Sequence, residues 1–285
     1  MFIEQIFLAV VAQKSTLHER LRAEAKTRGV PNEDIEEIIS IVPTALIDAG
    51  AFLDKLTNLW RYEFGIPYDI RNDFIWGTHM WMPVYCLFNA LSCAHSRLPK
   101  DKCLDYMKRL AVASKHQATL VEMIPGHKLD PSVPAQFEVP GLGVGNKTVD
   151  WVIGPHNGRT VLIDVKRRTT DFIKQTEKIG GGSVAPAPDH DPNLLFRSVE
   201  EKFKTADPNQ NLQGVWIVTD IKQNEMRLSA AFIALSAINK VHFSIIGDWK
   251  SDAYVLVTRA EDEQYLRELF HVQESTRFTF AQNEG

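Results

Sequence analysis

Two β-branched runs, Thr148-Val149-Asp150-Trp151-Val152-Ile153-Gly154 and Thr160-Val161-Leu162-Ile163-Asp164-Val165-Lys166-Arg167-Arg168, are joined by Pro155-His156-Asn157-Gly158. A turn-rich link between two such runs is the signature of a hairpin. Each run carries an acid where an apolar residue would pack better. The second adds a lysine two positions on. Residues i and i+2 of a strand point to one face, so Asp164 and Lys166 project together. Pairing of the strands would bring Asp150 up to Asp164. Charges on a packed sheet are costly unless they are paired, solvated or bound to metal. A salt bridge at a strand end is the plain reading of an isolated D-x-K. The acid on the preceding strand adds a second reading, a built site.

Working outward, the periodicity changes after about residue 126. Before it, helical spacing prevails. Leu17 to Arg28 is rich in good helix formers. Gly29 and Pro31 mark a stop, and Asn32 begins the next helix. Thr44 to Phe64 carries Leu46, Ile47, Phe52, Leu53, Leu56, Leu59 and Trp60 at helical spacing. Phe74 to Cys93 is densely aromatic, with core packing the reading for rings of this size and base stacking the alternative. A helix is expected from Cys103 to Ile124, ended by Pro125-Gly126, with Glu122 near its end. Ala135 to Val139 then reads as a strand ahead of the pair.

Beyond the pair, Thr169 to Lys178 reads as a short helix and Gly180 to Pro192 as a long loop. Asn193 to Thr205 reads as a helix. Leu212 to Thr219 is an almost continuous apolar strand, as expected when both faces are covered. Met226 to Ile238 reads as a helix, His242–Ile246 and Tyr254–Val257 as strands, and Asp262 to Phe270 as a helix. The tail is polar. The domain division expected is a helical region over 1–100 and an α/β domain over 101–285.

The 285 residues are 44% hydrophobic and 24% charged, ordinary for a globular protein. No apolar run reaches the roughly 18 residues of a membrane span, and no membrane partner is expected. The three cysteines, Cys86, Cys93 and Cys103, form no C-x-x-C pair, which points to reduced thiols and a cytoplasmic setting. The net charge of −4 means that any nucleic-acid contact rests on a local basic patch. No G-x-S-x-G, H-E-x-x-H or G-x-x-x-x-G-K-[ST] is present, so serine hydrolases, zincins and P-loop ATPases lack support.

The succession over residues 101–219 is helix, three strands, helix, strand. With Asp150, thirteen intervening residues and then Asp164-Val165-Lys166, it resembles the PD-(D/E)-x-K nuclease superfamily. Asp replaces the commoner Glu in the second position, and Val149 stands where the pattern has Pro. The resemblance implies an α/β fold with a restriction-endonuclease-like core, preceded by an all-helical N-terminal region. It also implies phosphodiester hydrolysis with Mg²⁺ or Mn²⁺. Asp150, Asp164 and the Val165 carbonyl would be the metal ligands, hard oxygen donors of the kind Mg²⁺ takes. Lys166 would position water or stabilise phosphoryl charge.

Such proteins often add a glutamate from the first core helix. Glu122 is the candidate, with Glu138 on the first strand as the alternative. Arg168 and Lys202 are the candidate substrate contacts, and Lys174 and Lys178 extend the positive patch. The expected partner is nucleic acid, DNA favoured over RNA. The N-terminal region would bind substrate or form a homodimer. The competing reading is an inactive nuclease-like scaffold that binds nucleic acid or a protein.

Overall fold

The computed structural model describes residues 19, 22–23, 25–41, 49–63, 65–66, 84–112, 114–168, 192–219, 222–234, 240–248 and 253–278. The expectations for residues 1–18, for the aromatic stretch Phe74–Cys93 up to residue 83, for the helix and loop over 169–191, and for Lys174 and Lys178 lie outside those residues.

The chain divides into two compact units, one of Met1–Asn89 and Leu104–His116, the other of Ala90–Cys103 and Gln117–Gly285. The first unit is helical in its described residues. It holds α1 (Asn32–Ile41), α2 (Ala49–Asn58) and a π-helical turn, Leu59–Glu63. Leu53, Leu56 and Trp60, at i, i+3 and i+7, share one helical face, and all are buried. Tyr106, Met107 and Leu110 of the same unit are fully buried.

Next come α3 (Val84–Arg97) and α4 (Lys100–Leu110). The single helix expected over Cys103–Ile124 is two, α4 and α5 (His116–Val121), and a third, α6 (Ile124–Lys128), starts at its last residue. The first break has a side-chain cause. Buried His116 sets its Nδ1 2.7 Å from the Leu110 carbonyl, so an imidazole serves the end of α4. Pro125 does not end a helix; it sits in the first turn of α6, where a missing N–H leaves no bond unmade. Glu122 therefore lies in the turn between α5 and α6.

The second unit is built on a mixed sheet. Among the described residues its strands run in the order β1 (Ala135–Val139), β2 (Val149–His156), β3 (Arg159–Arg168), β4 (Asn211–Thr219), β5 (Phe243–Asp248), β6 (Ala253–Arg259) and β7 (Glu274–Phe278). β1, β2 and β3 form an antiparallel meander, and β4 lies parallel to β3. β4–β5 and β6–β7 are parallel, β5–β6 antiparallel. Parallel neighbours need a crossover, and each crossover here contains a helix. These are α7 (Pro192–Glu200), α8 (Lys222–Ala234) and α9 (Ala260–Phe270).

Helices cover both faces. Leu195, Phe196 and Val199 of α7, with Leu228 and Phe232 of α8, join Leu162, Val215, Ile217 and Ile246 in one core. On the other face Trp216 packs edge-on to Phe270 of α9, ring centres 5.4 Å apart, and to Tyr254 at 5.2 Å. The burial of β4 is continuous from Leu212 to Thr219, as its apolar sequence implies. β7 departs from the reading of a polar tail. Its residues carry no alternating pattern, and it is placed by parallel pairing with β6 after α9.

Candidate active site

β2 and β3 pair with Trp151 opposite Ile163. That register sets Asp150 opposite Asp164. Leu162 belongs to the core beneath α7, and alternation along β3 puts Asp164, Lys166 and Arg168 on the same face. Arg167 goes to the other face, where its guanidinium donates to Gln117 Oε1. Trp151 fixes β2 from behind. Its buried ring lies against Gly126, where a Cβ would come within 2.2 Å, and its Nε1 donates to the Glu122 carbonyl at 2.6 Å.

Asp164 is fully buried, and Lys166 Nζ lies 2.5 Å from its Oδ2. This approach is an ion pair without hydrogen-bond alignment, because Oδ2 accepts no hydrogen bond. Asp164 Oδ1 takes the ammonium of Lys202. Asp150 Oδ2 accepts the Val165 N–H at 2.7 Å, and Asp150 Oδ1 lies 3.4 Å from Lys202 Nζ. Two carboxylates and two ammonium groups thus cancel in formal charge.

The two acids ionise differently. Burial, and after it the charge of Asp164, push the Asp150 carboxyl up to about 6, against the opposing pull of Lys202. Burial also works against Asp164, but Lys166 and Lys202 outweigh it and hold that carboxyl below the ordinary range. The same carboxylates outweigh burial at Lys202 and raise its amine. Pairs pushed apart in this way recur at functional sites.

The structure therefore brings Asp150, Asp164, Lys166 and Lys202 together. Lys202 is not on a helix, as its expected span over Asn193–Thr205 implies, because α7 ends at Glu200. It lies in the turn that follows, its N–H bonded to the Val199 carbonyl and its carbonyl accepting the Val144 N–H at 2.8 Å. Arg168 sits two residues beyond Lys166, half-buried, with Nη1 donating to the Arg167 carbonyl. Glu122 contributes its backbone carbonyl to Trp151, and the charges acting on Asp150 are those of Asp164, Lys202 and Lys166.

The alternative acid, Glu138, is nearer by register. Phe137 pairs with Trp151 and Val139 with Val149, so Glu138 falls opposite Asp150. Its φ of 51° is left-handed, uncommon for a residue with a Cβ. The Val165 N–H, which holds Asp150, has no mark in the sequence, because any residue at that position offers the same donor.

A divalent cation fits these residues. Two carboxylates and a neighbouring peptide carbonyl are hard oxygen donors, and Mg²⁺ is ordinarily held by one or two carboxylates with water completing its shell. Both Asp164 oxygens face ammonium groups, Oδ1 that of Lys202 and Oδ2 that of Lys166, so an ion binding there would take the place of a charge already present. Among the described residues no cluster of three or more His, Cys, Asp or Glu side chains could cage a metal. Burial pushes Cys93 up to about 12 and Cys103 up to about 11, which disfavours thiolate chemistry at those two positions.

No protein-family model, curated protein or solved structure matches this chain. Among the described residues no helix is long and apolar enough to cross a membrane.

Proposed function

We propose that this chain is a metal-dependent nuclease that hydrolyses phosphodiester bonds, with DNA as the favoured substrate. The observation that carries the reading is the meeting of Asp150, Asp164 and Lys166 on one face of the β2–β3 pair. The order of meander, α7 and parallel β4 supports a restriction-endonuclease-like core.

Asp150, Asp164 and the Val165 carbonyl would hold Mg²⁺ or Mn²⁺. Such an ion polarises a phosphoryl oxygen and lowers the pKa of a bound water. Lys166, 30% exposed, reaches from buried Asp164 toward solvent. It would orient the attacking water or stabilise charge growing on the phosphate. A protonated amine has no lone pair with which to act as a base. Arg168 and Lys202 would meet flanking phosphates, and the helical N-terminal region would bind substrate or a second copy of the chain. A cytoplasmic setting is part of this reading, and the three unpaired cysteines support it.

The test is cleavage of plasmid DNA, single-stranded DNA and RNA by the purified chain with Mg²⁺ or Mn²⁺. Cutting is expected in the wild type and abolished in Asp164→Ala and Lys166→Ala. Equal activity in those variants would sink the assignment.

One observation favours a second reading, the inactive scaffold. Lys202 already neutralises the carboxylates, as a purely structural ion cluster would. Titration with Mn²⁺ separates the two, since a scaffold would take up no ion through Asp150 and Asp164.

A further inference from the structure

Lys202 stands between the inner oxygens of the two carboxylates. Its ammonium contacts Asp164 Oδ1 and lies 3.4 Å from Asp150 Oδ1. An ion held by these two Oδ1 atoms would take that same space. Of the four carboxylate oxygens, the outer pair is engaged otherwise: Asp150 Oδ2 by the Val165 N–H and Asp164 Oδ2 by the Lys166 charge.

The stem of Lys202 rises from a fixed base. Its carbonyl is bonded to Val144, and Gly143 passes so close that a Cβ would lie 2.9 Å from that carbonyl. Phe203, the next residue, is fully buried and bridges to Gly143. Backbone and neighbours hold the base of the side chain, and only the flexible methylene stem can withdraw the charge.

We propose that Lys202 is a tethered counter-ion that competes with divalent metal for the carboxylate pair. Metal loading at this site is then an exchange, in which the metal enters and the ammonium leaves both Oδ1 atoms. The chain itself sets how readily the site fills. Two cations cannot share the gap, because their mutual repulsion at a few ångströms in a half-buried site is large. This inference rests on the metal-dependent reading above and adds to it a control over occupancy.

The experiment is calorimetric titration of the full chain with Mn²⁺, without nucleic acid, for wild type, Lys202→Met, Lys202→Arg and Asp164→Ala. Lys202→Met keeps the length and apolar stem and removes the charge. It is expected to bind Mn²⁺ about tenfold tighter or more. Lys202→Arg, which keeps a cation on the stem, is expected to stay within about threefold of wild type. Asp164→Ala is expected to lose the site. Should methionine disturb the fold, shown by a lowered melting temperature, Lys202→Gln carries the same comparison.

Equal or weaker Mn²⁺ binding by the uncharged variant, with binding by wild type and its loss in Asp164→Ala, overturns the competition and leaves the nuclease reading standing. Absence of Mn²⁺ binding in every protein overturns both.

Discussion

Asp150 carries the raised carboxyl of the pair, up at about 6 from burial and from Asp164. A carboxyl raised on folding favours the protonated form, so its contribution to stability is full below the ordinary carboxylate pKa. That contribution is lost as pH climbs through about 6. Asp164 behaves oppositely: its carboxyl is lowered, so its contribution is present at neutral pH and lost on acidification. Replacing Asp150 by Asn removes the first effect. Melting temperatures should show Asp150→Asn gaining on wild type between pH 4.5 and 7.5, by on the order of 1 kcal/mol. A gain in the reverse direction would contradict the buried placement of Asp150. Divalent-metal binding, which needs the charged form, should strengthen over the same window. At this scale the acids and Lys166 were legible from period-two alternation alone. Lys202 was legible only as a nearby cation. Its place between the carboxylates comes from the β3–α7–β4 crossover, which spans many residues and leaves no local pattern.

The α6 turn and β2 form one mechanical piece. Gly126 is the contact point, with three atoms of the Trp151 ring within 2.8 Å of where a Cβ would stand. The ring cannot retreat, being fully buried and tied through Nε1 to the Glu122 carbonyl. Gly126→Ala is therefore expected to destabilise the chain by about 1–3 kcal/mol through overpacking, read by thermal unfolding. Because Trp151 adjoins Asp150, Mn²⁺ binding should weaken as well. An unchanged melting temperature would mean that α6 and β2 can part. Elements with long β-branched or apolar runs, such as β3 and β4, were legible in their sequence. The break after Leu110 was not, because a buried imidazole from six residues on makes it. Nor was β7, an edge strand whose pairing with β6 depends on where α9 delivers the chain.

For the molecule as a whole, the net charge of −4 bears on any nucleic-acid contact. Lys166 and Lys202 contact the carboxylates, and Arg168 shares the face of β3 with Asp164 and Lys166. If three phosphates are neutralised there, the logarithm of DNA affinity should fall against the logarithm of salt with a slope no steeper than about −3. A much steeper slope, measured by fluorescence anisotropy, would place the main contact elsewhere, the helical N-terminal region included. Ala90–Cys103 belongs to the same compact unit as the sheet. Arg97 donates to the carbonyls of Leu129, Asp130 and Val133, and Lys102 to those of Phe137 and Glu138. These contacts pair residues more than thirty positions apart, beyond the reach of a local pattern.

β3 is held by charge at both ends. At its start Arg159 reaches buried Asp262 at 2.6 Å and the Pro208 carbonyl at 2.7 Å. Near its other end stands Asp164 with its two lysines, and Val161, Leu162 and Ile163 between them are buried on both faces. Slippage by one position would carry both clusters to the wrong side at once. In the language of hydrogen exchange, β3 should be the last strand to surrender its amides, protected up to the free energy of global unfolding. The carboxylates would then keep their spacing while the rest of the sheet breathes.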